Sequence, residues 1–174
     1  FAQLAYEGMA GYVPGRPETD RGTVMLRAMR WWQQYGIAGP GGRAHKLTAY
    51  AGVPLDLDIM RRALWLCNGL CIGLQLPKSA MEQFDNNQPW TYVPGSEVVG
   101  GHCVTLVGWD PEWFYFVTWG KLWKMSYEFA LAKGMIDEMF ACIAVDVMRH
   151  GESPQHLKLE ELIRDVESVT QRSA

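Results

Sequence analysis

The stretch that decides the fold is Gly100-Gly101-His102-Cys103-Val104-Thr105-Leu106-Val107-Gly108-Trp109-Asp110. From Cys103 to Trp109 it is apolar and rich in β-branched residues, which is the pattern of a strand. His102 opens that strand behind two glycines, so its ring is held on rigid backbone with space in front of it. A ring so placed suits a general base, which must reach a nucleophile's proton at hydrogen-bond distance. Taken alone, the same histidine also reads as a satisfied group at a strand edge.

Working outward, Asp110-Pro111 is a turn, and Trp113 to Thr118 reads as a second strand, so a hairpin is expected. A short third strand is expected around Trp123 to Met125. Ser126 then caps a helix through Lys133, Gly134 ends it, and Phe140 to Val145 reads as a last buried strand. Upstream, Phe1 to Met9 is a helical lead followed by a turn-rich stretch, Gly11 to Asp20. Asp20 or Thr23 caps a helix with Val24, Ala28, Trp31 and Tyr35 at helical spacing, closed by Gly36. Lys46 to Val53 reads as a strand. Asp56 or Asp58 starts a helix over Ile59 to Cys67, with Met60, Ala63, Leu64 and Cys67 on one side. A buried strand, Leu70 to Leu76, comes next, and the polar stretch Asp85 to Pro94 reads as loop. Beyond Pro154, Leu157 to Val169 is an amphipathic helix with Leu159, Leu162, Ile163 and Val166 apolar. Helices first and a largely antiparallel sheet afterwards make an α+β fold.

The bulk properties narrow the function. The 174 residues are 48% hydrophobic and 20% charged, with a net charge of −3, which is a globular composition. Scattered basic residues and a pI near 5.8 argue against nucleic-acid binding. No apolar run approaches the ~20 residues of a membrane span, and Phe1 to Glu7 lacks the build of a signal peptide. The expectation is a chain that neither inserts in a membrane nor binds nucleic acid, cytoplasmic in the producing cell or carried in a virion. Gly39-Pro40-Gly41-Gly42 lacks the strand-to-helix context of a phosphate cradle and reads as a surface loop.

The run around His102 resembles the histidine segment of papain-like cysteine peptidases, where Gly-His-Ala-Val precedes apolar residues and Val-Gly-Tyr-Asp. The continuation Phe114-Tyr115-Phe116-Val117-Thr118-Trp119-Gly120 is similar to that family's aromatic strand ending in Asn-Ser-Trp-Gly. The helix Ile59 to Cys67, the strand Leu70 to Leu76, and Thr19-Asp20-Arg21-Gly22 with the helix after it also fit the family's middle region. Within the family, the ending Val-Thr-Trp-Gly resembles a group of papain-like proteins encoded by phages and prophages. The resemblance implies a papain-like domain over residues 1–150 and a C-terminal amphipathic helical extension over 151–174. It makes His102 the catalytic base and Trp119 the tryptophan that shields it from water. The family's orienting asparagine falls at Val117, which has no side-chain acceptor; Thr118, next to it, can accept the bond instead.

The family's nucleophilic Cys lies roughly 130–150 residues ahead of its His, so its equivalent here is expected upstream of Phe1, and the oxyanion-hole glutamine with it. None of Cys67, Cys71, Cys103 and Cys142 reads as a substitute. Cys103 follows His102 on a strand and so points to the opposite face, while the others sit in apolar stretches where burial makes thiols inert. No zinc or calcium pattern is present, so neither a metal nor a cofactor is expected. Two functions follow from the resemblance. One is a catalytically incomplete domain used as a structural or interaction module, in a virion or larger viral assembly, with protein partners. The other is a cysteine endopeptidase or amide hydrolase acting on a peptide substrate, with its Cys upstream of Phe1.

Overall fold

A computed structural model describes residues 2–171 of the chain. They fall into two compact units, one containing the chain up to Tyr50 with Ile143–Ile163, the other containing Ala51–Cys142 with the chain beyond Ile163. The first holds α1 (Ala2–Ala10), α2 (Met25–Tyr35) and an antiparallel pair of two-residue strands, β1 (Ile37–Ala38) and β2 (Ala44–His45). The buried side of α2 differs from the expected one. Met25, Ala28 and Met29 are covered, whereas Val24 is 63% and Tyr35 56% exposed. Val24 is the extended N-cap rather than a helical residue, and neither Asp20 nor Thr23 caps the helix. The flexible methionines supply the i, i+4 pair that fills the core, and Tyr35 instead lies against Trp31 at 5.4 Å. Gly36 closes the helix at φ 80°, its N–H reaching Trp32 O at 2.9 Å.

The expected strand from Lys46 to Val53 is shorter, β3 (Ala49–Gly52). Then α3 (Leu57–Cys67) starts at Asp56, whose Oδ1 accepts the N–H groups of Asp58 and Ile59, each at 3.0 Å. These bonds satisfy two of the four donors that a helix start leaves open. Met60, Ala63, Leu64 and Cys67 are all buried, and Asn68 ends the helix in the left-handed region at φ 58°.

The remaining strands are β4 (Leu70–Pro77), β5 (Val98–Trp109), β6 (Trp113–Thr118), β7 (Lys121–Ser126) and β8 (Ile136–Ile143). They form a six-stranded sheet in the order β3-β8-β4-β5-β6-β7. The contacts of β4 with β5 and β8, and of β6 with β5 and β7, are all antiparallel. The burial of β4 alternates: Leu70, Ile72 and Leu74 are at most 1% exposed, while Cys71, Gly73 and Gln75 are half-buried. One face of the sheet therefore carries the core. Helices α4 (Lys78–Asp85) and α5 (Tyr127–Leu131) follow β4 and β7, and Ser126 Oγ caps α5 through the Phe129 N–H at 3.1 Å. The last helix, α6 (Leu159–Thr170), covers its apolar stripe: Leu162 and Val166 are 1% and 2% exposed.

Several boundaries differ from expectation. α5 stops at Leu131, and β8 begins at Ile136 and ends at Ile143. β5 begins at Val98, so His102 sits inside a strand and does not open it. The reason is that Gln75, Leu76 and Pro77 go on pairing with Gly101, Gly100 and Val98.

Replacing Asp56 with Ala removes both cap bonds of α3. It should lower unfolding stability by about 1 kcal/mol, read as a lower urea midpoint with an unchanged m-value.

Candidate functional site

Strand register places the ring. His102 pairs with Leu74, between Gly100–Leu76 and Val104–Ile72, so the period of two puts it on the core face of the sheet. Thr118 ends β6 on the same face and is 4% exposed. His102 Nε2 and Thr118 Oγ1 are 2.8 Å apart. With Nε2–H as donor and the hydroxyl oxygen as acceptor, the lone pair of Nδ1 is left free. No described residue hydrogen-bonds Nδ1. Val117, by contrast, pairs with Thr105, turns to the other face and is 46% exposed.

Thr118 pairs with Lys121, so Trp119 and Gly120 form a two-residue hairpin loop. Both have positive φ, 44° and 73°, as a type I′ turn requires. Glycine or asparagine is the usual first residue there, and a left-handed tryptophan costs about 1–2 kcal/mol. What holds it is packing. The Trp119 indole stacks on the His102 ring at 4.9 Å with 25° between planes, and meets Phe84 edge-on at 4.6 Å and Trp90 at 5.8 Å. Strain of this kind gathers where a side chain has to be aimed.

Two supports of the site were not read from the sequence. Phe84 belongs to α4, a helix hidden in the stretch after Pro77. Trp90 lies in what reads as polar loop, yet it is fully buried and packs on Phe116 at 4.6 Å, Phe129 at 5.5 Å and the His102 ring at 6.4 Å. Its backbone is pinned to β7 by Trp90 N–H to Lys124 O and Ser126 N–H to Trp90 O, each 2.9 Å. The available signal was a lone tryptophan between Pro89 and Pro94, since a solvated loop gives no reason for so large an apolar side chain.

The aromatic enclosure sets the electrostatics. Burial disfavours the imidazolium and holds the His102 pKa below the ordinary histidine value of 6.5. The ring is thus neutral at pH 7.

The cysteines do not meet it. Cys71 and Cys103 oppose Thr105 and Gly73, on the sheet face away from His102, and Cys142 lies on that same far face of β8. Burial pushes the Cys67 thiol up to about 12 and the Cys103 thiol up to about 11. Cys71 differs from these two in the direction of its shift. Its pKa is lowered, first by a hydrogen bond from Cys142 and also by one from Thr105, against the effect of burial.

No protein-family model and no curated protein matches the sequence. Solved structures do. Xylellain, a cysteine protease from Xylella fastidiosa, superposes with a TM-score of 0.64 at 16% identity, over 80% of this chain and 68% of that one. A cysteine protease from Carica candamarcensis, CMS1MS2, in complex with E-64, gives 0.54 at 14% identity, over 71% and 69%. The fold is papain-like. That agrees with the α+β architecture and antiparallel sheet expected from the papain-like histidine segment.

A proton titration of the ring by NMR should place His102 of this papain-like domain below 6.5, and Trp119→Ala, which opens the enclosure, should bring it back up. The sign for stability follows. The unfolded chain takes up this proton first as the pH falls, so the His102 contribution is complete above 6.5 and declines below it. Trp119→Ala should flatten that decline.

Proposed function

We propose that this chain carries the base half of a papain-like thiol hydrolase that cleaves peptide or related amide bonds. The nucleophilic Cys is then supplied by a segment outside these 174 residues. In this reading Nδ1 of His102 takes the proton from that thiol, and the thiolate attacks the carbonyl carbon. The imidazolium then returns the proton to the leaving amine nitrogen. Thr118 is the positioning residue that holds the ring through Nε2, and Trp119 keeps water from that bond. The depressed pKa makes His102 a neutral base before reaction.

The observation that carries the reading is the 2.8 Å contact of His102 with Thr118 under a strained tryptophan. A domain kept only for its surfaces has no need to hold Trp119 at positive φ over an imidazole. The glycines support it too. Gly100 and Gly101 lie inside β5 without positive φ, and a Cβ at either would meet nothing within 4 Å. Glycine in a strand interior costs roughly 0.5–1 kcal/mol and marks the close approach of another backbone. The open space at Gly100, which shares the His102 face of β5, fits a substrate or nucleophile segment; that at Gly101 lies on the other face.

A second reading draws on Val117, which stands where the orienting asparagine of the resemblance falls. In that reading the ring arrangement is inherited, and the domain serves as a structural or interaction module, in a virion or another assembly.

The natural full-length product should react with a peptidyl epoxide at one Cys outside residues 1–174. His102→Ala should abolish the labelling. Thr118→Val should slow it by about two to four orders of magnitude, the upper figure being the cost of a wrong tautomer. Labelling that ignores both substitutions, or a full-length product with no such Cys, would sink the hydrolase reading and leave the module. Gly100→Val provides a separate check, since nothing internal is displaced. Its unfolding midpoint should stay level or rise, while labelling is lost.

A further inference from the structure

A cleft of ≈ 400 Å³, built wholly from the second compact unit, lies apart from the His102 site. One wall is α3. Arg61 and Arg62 stand one helical turn before Trp65 and Leu66, and the i, i+3 and i, i+4 spacing brings all four to the cleft. A second wall is the C-terminal half of α6, with Asp165 and Val169 at the same spacing. Trp109, at the end of β5, completes it. That tryptophan lies seven residues beyond His102 along the strand, about 23 Å at the usual rise. A ligand the size of one residue cannot touch both.

The chemistry of the walls defines the ligand. Trp65 and Trp109 are 54% and 37% exposed, broad indole surfaces of the kind that anchor a ligand by packing. The charged groups beside them are unmatched. Neither guanidinium pairs with a carboxylate of the described residues, and Asp165 pairs with no described cation. Arg61 is held by its 4.8 Å approach to the Tyr127 ring, and its Nε is buried with no acceptor among the described residues. A guanidinium partly out of water and without a counter-charge favours an incoming anion. Two cations against one anion leave the cleft one positive charge in excess. That suits a single carboxylate, and Asp165 repels a dianion such as a phosphate ester. The volume falls at the low end of small-ligand sites, about 300–1,000 Å³. It holds a residue and not a docked helix, which is about 10 Å across.

We infer that this cleft binds the C-terminal residue of a peptide chain, its aromatic side chain against Trp65 and Trp109 and its α-carboxylate on Arg61 and Arg62. Asp165 accepts the N–H of that residue's own peptide bond. A C-terminal residue carries ring, carboxylate and amide N–H on one α-carbon, close enough for so small a space. An acidic side chain next to an aromatic one puts the carboxylate on a separate residue. Capture of a terminal carboxylate is a recurrent mode of peptide recognition, and guanidinium groups suit its planar shape. Nothing in this site depends on the role of His102.

The experiment titrates the natural full-length product with N-acetyl-L-phenylalanine and follows the indole N–H signals in proton–nitrogen correlation spectra. The signals of Trp65 and Trp109 are assigned from Trp65→Phe and Trp109→Phe. Both should shift and saturate. N-acetyl-L-phenylalaninamide, which lacks the carboxylate, should bind at least about tenfold more weakly, since a hydrogen bond to a charged group is lost. The acid should weaken by a similar factor on the exposed substitution Arg62→Gln. Added salt should weaken the acid and leave the amide unchanged. Equal binding of acid and amide would make the cleft a merely apolar hollow and overturn the inference. So would N-acetyl-aspartyl-phenylalaninamide binding as tightly as the acid, which would assign the carboxylate to an acidic side chain. Trp65 and Trp109 signals that stay fixed at millimolar acid would overturn it as well. The comparison of acid with amide on the wild-type protein decides the matter even if a variant fails to fold.

Discussion

The register between β4 and β5 is the constraint on which the rest depends. With Leu74 opposite His102, the ring falls on the face that also carries Leu70, Ile72, Val104 and Leu106, all at most 2% exposed. A slip of one residue would exchange the faces. It would bring Cys103 inward and turn His102 outward, away from Thr118 and Trp119. The apolar residues of β4 thus fix the position of a polar one on β5. The energy that holds the site comes from the core, because a one-residue slip would expose that whole aliphatic row.

The aromatic layer makes the second contribution. Phe116 and Phe129 pack on Trp90, all three fully buried, and Trp119 rests on Trp90 and Phe84. A left-handed tryptophan in a hairpin loop is locally unfavourable, and only such a floor can offset it. Burial of the imidazole, to which the stacked indole contributes, holds its pKa below the ordinary value. Backbone strain, ring stacking and the protonation state of His102 are therefore one linked arrangement.

How much of this was legible follows from the range of each signal. His102, Thr118 and Trp119 stand within motifs of short range, and their strands follow from two runs of β-branched and aromatic residues about the turn at Asp110, whose Oδ1 accepts from Glu112 and Trp113 N–H at 2.8 Å. Asp56 likewise announces α3 from one residue. Trp90 was not legible because its burial comes from a bridge to Met125, distant in sequence. Position within β5 was missed for the same reason: only the pairing with Gln75 to Pro77 extends that strand ahead of His102. On α2, the hydrophobic spacing offered two overlapping faces, and tertiary packing chose the one with Met25 and Met29.

Thr118 differs from a carboxamide orienter in one physical respect. An asparagine side-chain oxygen can only accept, so it forces the proton onto Nε2 of the ring it holds. A hydroxyl can accept or donate. Thr118 thus fixes the ring's position as firmly as its 2.8 Å contact allows, but fixes the tautomer only if its own hydrogen has a better acceptor elsewhere. At 4% exposure water cannot readily supply that acceptor, and a buried hydroxyl hydrogen seldom goes unpaired. The rotor of one hydroxyl therefore controls whether Nδ1 carries a lone pair or a proton.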